Sequence, residues 1–195
     1  MSEPRKKTGL FFGSFNPVHI GHLIIGQYFT QFSDLDEVWF VVSPHNPLKE
    51  KSSLLEGHLR LYMVNLALED DPLLRATNIE FTMPQPSYTI DTLTWLSEKY
   101  PQKQFVLIGG TDIFPTFHKW KNHQEILSQY DLYIYNRPGY DAGEYASYPR
   151  IRFFSAPLME ISASFIREAI RQGKDVSYML PSKVWAHIVD MGFYK

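Results

Sequence analysis

Apolar residues along this chain fall into short unbroken runs that alternate with stretches repeating every three to four positions. Leu10-Phe11-Phe12, closed by Gly13, is the first run, and Val38-Trp39-Phe40-Val41-Val42 is the second. Phe105-Val106-Leu107-Ile108 leads into Gly109-Gly110, and Leu132-Tyr133-Ile134-Tyr135 leads into Asn136-Arg137-Pro138-Gly139. Runs without polar alternation are what strands covered on both faces require. Residues 73–82 predict a further strand with a kinked exit, and 151–154 a last short one. Met83-Pro84-Gln85-Pro86 is loop, because two prolines so close remove donors that a helix or central strand needs.

Between these runs the period is helical. Leu23, Ile24, Tyr28 and Phe32 form one stripe; Leu59, Tyr62, Met63, Leu66 and Ala67 form another. Thr89 to Tyr100 predicts a third helix, with Thr89 as its N-cap and Asp91 in its first turn. Phe165, Ile166, Ala169 and Ile170 mark a helix closed by Gly173, and Pro181 starts another that carries Val184, Trp185 and Ile188. Strand and helix alternate throughout, so the expected class is α/β: a doubly wound, Rossmann-like parallel sheet. With no repeat and no linker, residues 1–195 are expected to form a single domain, with 162–195 as its C-terminal helical part. Such sheets bind ligands beyond the carboxyl ends of their strands, where the strand order reverses.

Composition narrows the partners. A chain of 195 residues, 44% hydrophobic and 21% charged, is ordinary for a globular protein. The net charge is −2, and Arg5-Lys6-Lys7 is the longest basic run, so there is no electrostatic footprint for nucleic acid. Cysteine is absent, which excludes disulfides, thiolate metal sites and a Cys nucleophile. No apolar run approaches the ~20 residues of a membrane span, and a cytoplasmic location is the default reading. Among the abundant aromatics, Tyr140, Tyr145 and Tyr148 lie in the loop-like stretch 140–150, where a homo-oligomer contact is the one role open to them.

The segment Gly13-Ser14-Phe15-Asn16-Pro17-Val18-His19-Ile20-Gly21-His22 carries the chemistry. Gly13 lets the backbone come close to a ligand, and Pro17 fixes the loop. His19 and His22 are three apart, so at a helix start they project to one side, beside exposed N–H groups and the positive end of the dipole. That is an anion site whose imidazoles can donate to a phosphate gaining charge in a transition state. Ser162 is a good N-cap, with Arg167 about one turn on, offering a hydroxyl and a guanidinium to a polyphosphate. His58, His118, His123 and His187 read as solvent-facing or locally satisfied. No third ligand accompanies His19 and His22, so no protein-held metal is expected. The glycines make neither a G-x-G-x-x-G nor a Walker A loop.

The Gly13–His22 string resembles the G-x-F-x-P-x-H-x-G-H signature of the nucleotidylyltransferase superfamily. Ile161-Ser162-Ala163-Ser164-Phe165-Ile166-Arg167 resembles its second signature, with Ala163 in place of Ser and Ser164 in place of Thr. Three further segments are similar to those of bacterial nicotinate-nucleotide adenylyltransferases: Ser87-Tyr88-Thr89-Ile90-Asp91-Thr92; Gly109-Gly110-Thr111-Asp112, with one extra residue before the Asp; and Trp120. Pro44-His45-Asn46-Pro47-Leu48-Lys49 is similar to that family's Pro-rich basic loop.

The resemblance implies transfer of AMP from ATP to nicotinate mononucleotide, giving nicotinate adenine dinucleotide and pyrophosphate in NAD biosynthesis. It implies that His19 and His22 meet the α-phosphoryl region, with Gly13, Ser14, Phe15 and Gly109 around the nucleotide and Asp112 on its ribose. Lys49, Arg167 and Ser162 or Ser164 would hold the outer phosphates, with Mg²⁺ carried mainly by phosphate oxygens and water. Trp120 would stack on the pyridine ring, Tyr88 and Thr89 would face its carboxylate, and Arg137 a phosphate. The rivals are a sister transferase using phosphopantetheine or nicotinamide mononucleotide, and a non-catalytic nucleotide-sensing module.

Overall fold

The computed structural model describes residues 5–44, 54–157 and 159–195. Six strands form one sheet: β1 (Lys6–Gly13), β2 (Glu37–Val42), β3 (Leu74–Thr77), β4 (Lys103–Gly110), β5 (Asp131–Tyr135) and β6 (Ile151–Phe154). All neighbours pair in parallel, in the order β3-β2-β1-β4-β5-β6. The doubly wound parallel sheet expected from the alternation of elements is present, and the reversal of strand order lies between β1 and β4. The helices are α1 (Ile20–Phe32), α2 (Gly57–Leu68), α3 (Thr89–Lys99), α4 (Phe114–Phe117), α5 (His123–Gln129), α6 (Ala163–Arg171) and α7 (Ser182–Met191).

Side chains of a strand point alternately to its two faces, and here both faces are dry. In β2 every residue is buried. Val38, Phe40 and Val42 enter a core layer with Phe29 of α1, Met63 of α2, Ile166 of α6 and Val184 of α7. Trp39 and Val41 enter the opposite layer, with Leu93 of α3, Phe117 of α4 and Ile126 of α5. Each fully buried side chain of this size stabilises the fold by about 1.5–3 kcal/mol. At the amino ends of the strands, Glu37 joins Lys103 at 2.5 Å and Lys6 at 3.2 Å, and Asp34 gathers Lys7, Tyr133 and Arg152. These networks lie away from the carboxyl ends.

Several local expectations needed correction. The third strand stops at Thr77 and turns through a 3-10 helix, Ile79–Thr82, which carries Glu80 inward to accept from the Thr92 hydroxyl at 2.9 Å. Tyr88, not Thr89, is the N-cap of α3. Pro181 precedes α7 as its N-cap instead of sitting in its first turn. Ser162 caps α6 as expected, accepting from the Phe165 N–H at 3.1 Å, and Gly173 follows that helix with φ +70°.

The apolar stripe of α2 is rotated from its predicted position: Arg60, Met63, Val64 and Leu68 are buried, whereas Tyr62 is exposed. Tyr145 is also a core residue, its ring stacked on Phe114 at 4.9 Å, so it is removed from any subunit contact; Tyr140 and Tyr148 stay exposed. Among the described residues no helix is long and apolar enough to cross a membrane.

Candidate active site

A crevice of about 1300 Å³ opens over the carboxyl ends of β1 and β4, at the reversal of strand order. Its floor is the turn from β1 into α1. His19 is the N-cap of α1 and His22 its third residue, and their rings stack with centroids 3.7 Å apart. His22 Nδ1 accepts from the His19 N–H at 3.2 Å, which fixes the second ring against the first turn. Phe15 packs edge-on to His22 at 5.0 Å and to Phe11 at 5.9 Å. The Phe15 side chain is therefore core, at 2% exposure, and supports the imidazole from below.

Two glycines permit this packing. A Cβ on Gly13 would lie 2.8 Å from the Phe15 ring, and one on Gly21 would lie 3.2 Å from the His19 ring. The expected reason for Gly13 was close approach to a ligand. The contact that needs it is the Phe15 ring.

His19 is buried, and its Nδ1 has no hydrogen-bond partner among the described residues. Burial, helped by the Arg137 cation, pushes its pKa down to about 4. The folded protein thus holds a neutral imidazole near pH 7. Between about 6.5 and 4 the unfolded chain takes up a proton that the folded one refuses, so His19 lowers stability as pH falls through that window. In NMR titrations of the free protein the His19 Cε1–H resonance should turn over near pH 4. Saturating ATP should move that midpoint upward, because a phosphate oxygen favours the imidazolium. A midpoint at the ordinary histidine value in the free protein would refute the burial argument.

Arg167 reaches back from α6 and donates to the Asn16 carbonyl at 2.8 Å, so the two signature segments meet at one point. Ser164 lies exposed beside it, 3.5 Å from the guanidinium, and both line the crevice with Ser162. Lys49 lies outside the described residues. Gly109 and Asp112 line the crevice from the end of β4. Between Gly110 and Asp112, Thr111 is buried and accepts from the Arg137 N–H at 2.9 Å. It thereby sets Arg137 beside Asp112, with the ion pair at 3.4 Å. Both side chains are about two-fifths exposed, so the pair contributes little and separates readily for a ligand.

The far wall comes from the start of α3 and the loop after α4. Tyr88, Thr89 and Trp120 line the crevice there. Trp120 rests on Phe117 with ring centroids 5.1 Å apart and keeps part of its surface open. Lys121 lies over the Tyr88 ring at 5.0 Å and pairs with Asp91 at 2.8 Å. Apart from Lys49, every expected site residue therefore borders one space.

A family model described as cytidylyltransferase-like matches residues 10–169. A protein of Flavobacterium johnsoniae named probable nicotinate-nucleotide adenylyltransferase is 49% identical over 97% of this chain and 99% of its own. This chain belongs to the nicotinate-nucleotide adenylyltransferase family. Its fold matches that of the Plasmodium falciparum nicotinic acid mononucleotide adenylyltransferase, solved with APC and with NaAD, at TM-score 0.80 and 18% identity, over 97% of both chains.

Two residues of this family member escaped the sequence reading. Arg60, fully buried, donates to the carbonyls of Leu55 (2.7 Å), Ser14 (2.6 Å), Ser43 (2.8 Å) and Pro44 (2.8 Å). It ties the exits of β1 and β2 together beneath the crevice. Glu80 accepts from the Thr92, Ser43 and Ser87 hydroxyls, and burial raises its pKa. In the sequence each is a single charge flanked by apolar residues, Leu59 and Leu61 for Arg60 and Ile79 and Phe81 for Glu80. Polar positions interrupting an apolar stripe, as at Arg60, are the trace to look for.

Proposed function

We propose that this chain performs its family's reaction at the crevice over β1 and β4, adenylylating nicotinate mononucleotide with ATP. An oxygen of the mononucleotide phosphate attacks the α-phosphorus, the bond from that phosphorus to the β-bridging oxygen breaks, and pyrophosphate leaves with the electron pair. The nucleophile is already anionic near neutral pH, so no general base is required. What the protein supplies is position and charge stabilisation. The single observation that carries this reading is the stacked His19–His22 pair at the start of α1, with the Arg167 guanidinium anchored on the same loop.

In this reading His22 and the neutral His19 donate to the α-phosphoryl oxygens as charge builds there. Arg167, with Ser162 and Ser164, holds the outer phosphates, and Lys49 adds a cation. Asp112 takes the ribose, and Arg137 exchanges its exposed partner for the phosphate of the mononucleotide. The pyridine ring lies on Trp120. Its carboxylate faces the amino end of α3 at Tyr88 and Thr89, where backbone N–H groups and the helix dipole favour an anion. Lys121 strengthens that preference for the acid over the amide.

The described donors around the phosphates are imidazoles, hydroxyls and a guanidinium, and no group of three metal-ligating side chains occurs among the described residues. Such a set fits Mg²⁺ carried on the triphosphate and water, not a protein cage. When bound, the ion would supply charge neutralisation to the phosphates. In this reading the whole of 1–195 acts as one transferase domain working in the cytoplasm.

A turnover assay following pyrophosphate with ATP and paired acid and amide mononucleotides tests the reaction. Turnover with the acid is expected, at higher kcat/KM than with the amide; no dinucleotide from either would end the reading. Trp120→Ala should raise KM for nicotinate mononucleotide about tenfold or more, since stacking on an aromatic contributes about 1–3 kcal/mol. An unchanged KM would remove Trp120 from the site.

A further inference from the structure

Asn16 lies in the turn from β1 into α1, 4% exposed, and three described residues bond it. Its side-chain oxygen accepts from the Leu55 N–H at 3.3 Å and from the phenol of Tyr194 at 2.9 Å. Its carbonyl accepts from Arg167 at 2.8 Å. Tyr194 is 178 positions away in sequence, beyond α7. The chain reaches the loop by turning back at Gly192, where the Phe193 N–H bonds the Ile188 carbonyl at 3.1 Å. Tyr194 itself has φ +66°, a left-handed conformation that a residue with a Cβ adopts only at a cost. The hydroxyl that this strain delivers points at the one amide whose carbonyl orients Arg167.

We propose that Tyr194 is a positioning residue of the phosphate site: its hydroxyl fixes the Asn16 carboxamide and, through the Asn16 carbonyl, the guanidinium of Arg167. Burial keeps the phenol protonated despite the nearby Arg167 and Arg60 cations, so it stays a donor over the working pH range. The hydroxyl never meets substrate. Its effect passes through the loop, where a displacement of a fraction of an ångström moves Arg167 relative to the outer phosphates. The inference rests on the transfer reading above for what Arg167 holds.

Tyr194→Phe removes one oxygen and leaves the ring packing. It should lower kcat/KM for ATP about tenfold, leave KM for nicotinate mononucleotide within about twofold, and leave Tm nearly unchanged. In an Arg167→Ala background the same change should cost less than about twofold, because the group it positions is gone. Equal losses in both backgrounds would mean a general structural role, and a loss below about twofold in the otherwise native protein would mean no role; either overturns the proposal.

Equilibrium binding of ATP alone, by calorimetry, separates the two readings. If the native protein binds ATP but makes no dinucleotide, the transfer reading fails. Weaker ATP binding by Tyr194→Phe would still support the positioning role, and unchanged binding would refute it.

Discussion

His22→Ala is expected to lower kcat for dinucleotide formation by about two to three orders of magnitude while KM for ATP changes little. A donor aimed at charge that develops only in the transition state contributes about 2.7–4 kcal/mol to the barrier and little to ground-state binding. The geometry favours that split. The His22 ring is locked by its Nδ1 contact with the His19 N–H, by the stacked His19 ring and by the edge of Phe15, so it is aligned before substrate arrives. Alanine at this position leaves the helix intact, and steady-state kinetics with a melting curve will separate the chemistry from folding. A decrease under tenfold in kcat would show that His22 is not a transition-state donor.

Arg60→Leu should cost about 3–5 kcal/mol of unfolding free energy, read by urea denaturation, and should also raise KM for ATP. Arg60 is fully buried and bonds four backbone carbonyls with no carboxylate beside it in that set. Leucine fills part of the volume but leaves those acceptors facing a dry interior. Two of them, Ser14 and Ser43, directly follow β1 and β2 at the crevice, so their relaxation moves the turn from β1 into α1 as well. Arg60→Lys should recover only part of the loss, because one ammonium cannot reach positions spanned by a planar fork. A loss below about 1 kcal/mol for the leucine variant would mean that water replaces the guanidinium without penalty.

These two residues mark how far the linear reading went. His22 was legible because its chemistry is local: a strand end, a glycine and two imidazoles three positions apart lie within ten residues. Ser162 was legible for the same reason, since a cap acts on an amide three positions on. Arg60 was not. The helix period around it suggested a stripe through Leu59, Tyr62 and Leu66, and a cation in such a stretch reads as solvent-facing. Leu55 is five positions away, but Ser14, Ser43 and Pro44 are brought to it only by folding. Thr89 failed on a smaller scale, because Tyr88 and Thr89 differ by one position and the backbone conformation decides which of them caps.

The pattern of apolar runs and helical stripes by itself determined the α/β class, because a strand buried on both faces and a helix buried on one leave periodicities that no other pairing satisfies. The family was legible only as a resemblance, carried by short segments such as Gly13–His22 and Ile161–Arg167 and not by that pattern. The tertiary structure alone decided which ends of those segments meet. It decided the order of the sheet, the placing of Arg167 against Asn16, the arrival of Tyr194 at that same amide, and the burial of Arg60 and Glu80. The physical reason is that a polar group's fate depends on the partners it finds in space: a buried cation or carboxyl is stable only where folding assembles donors and acceptors around it.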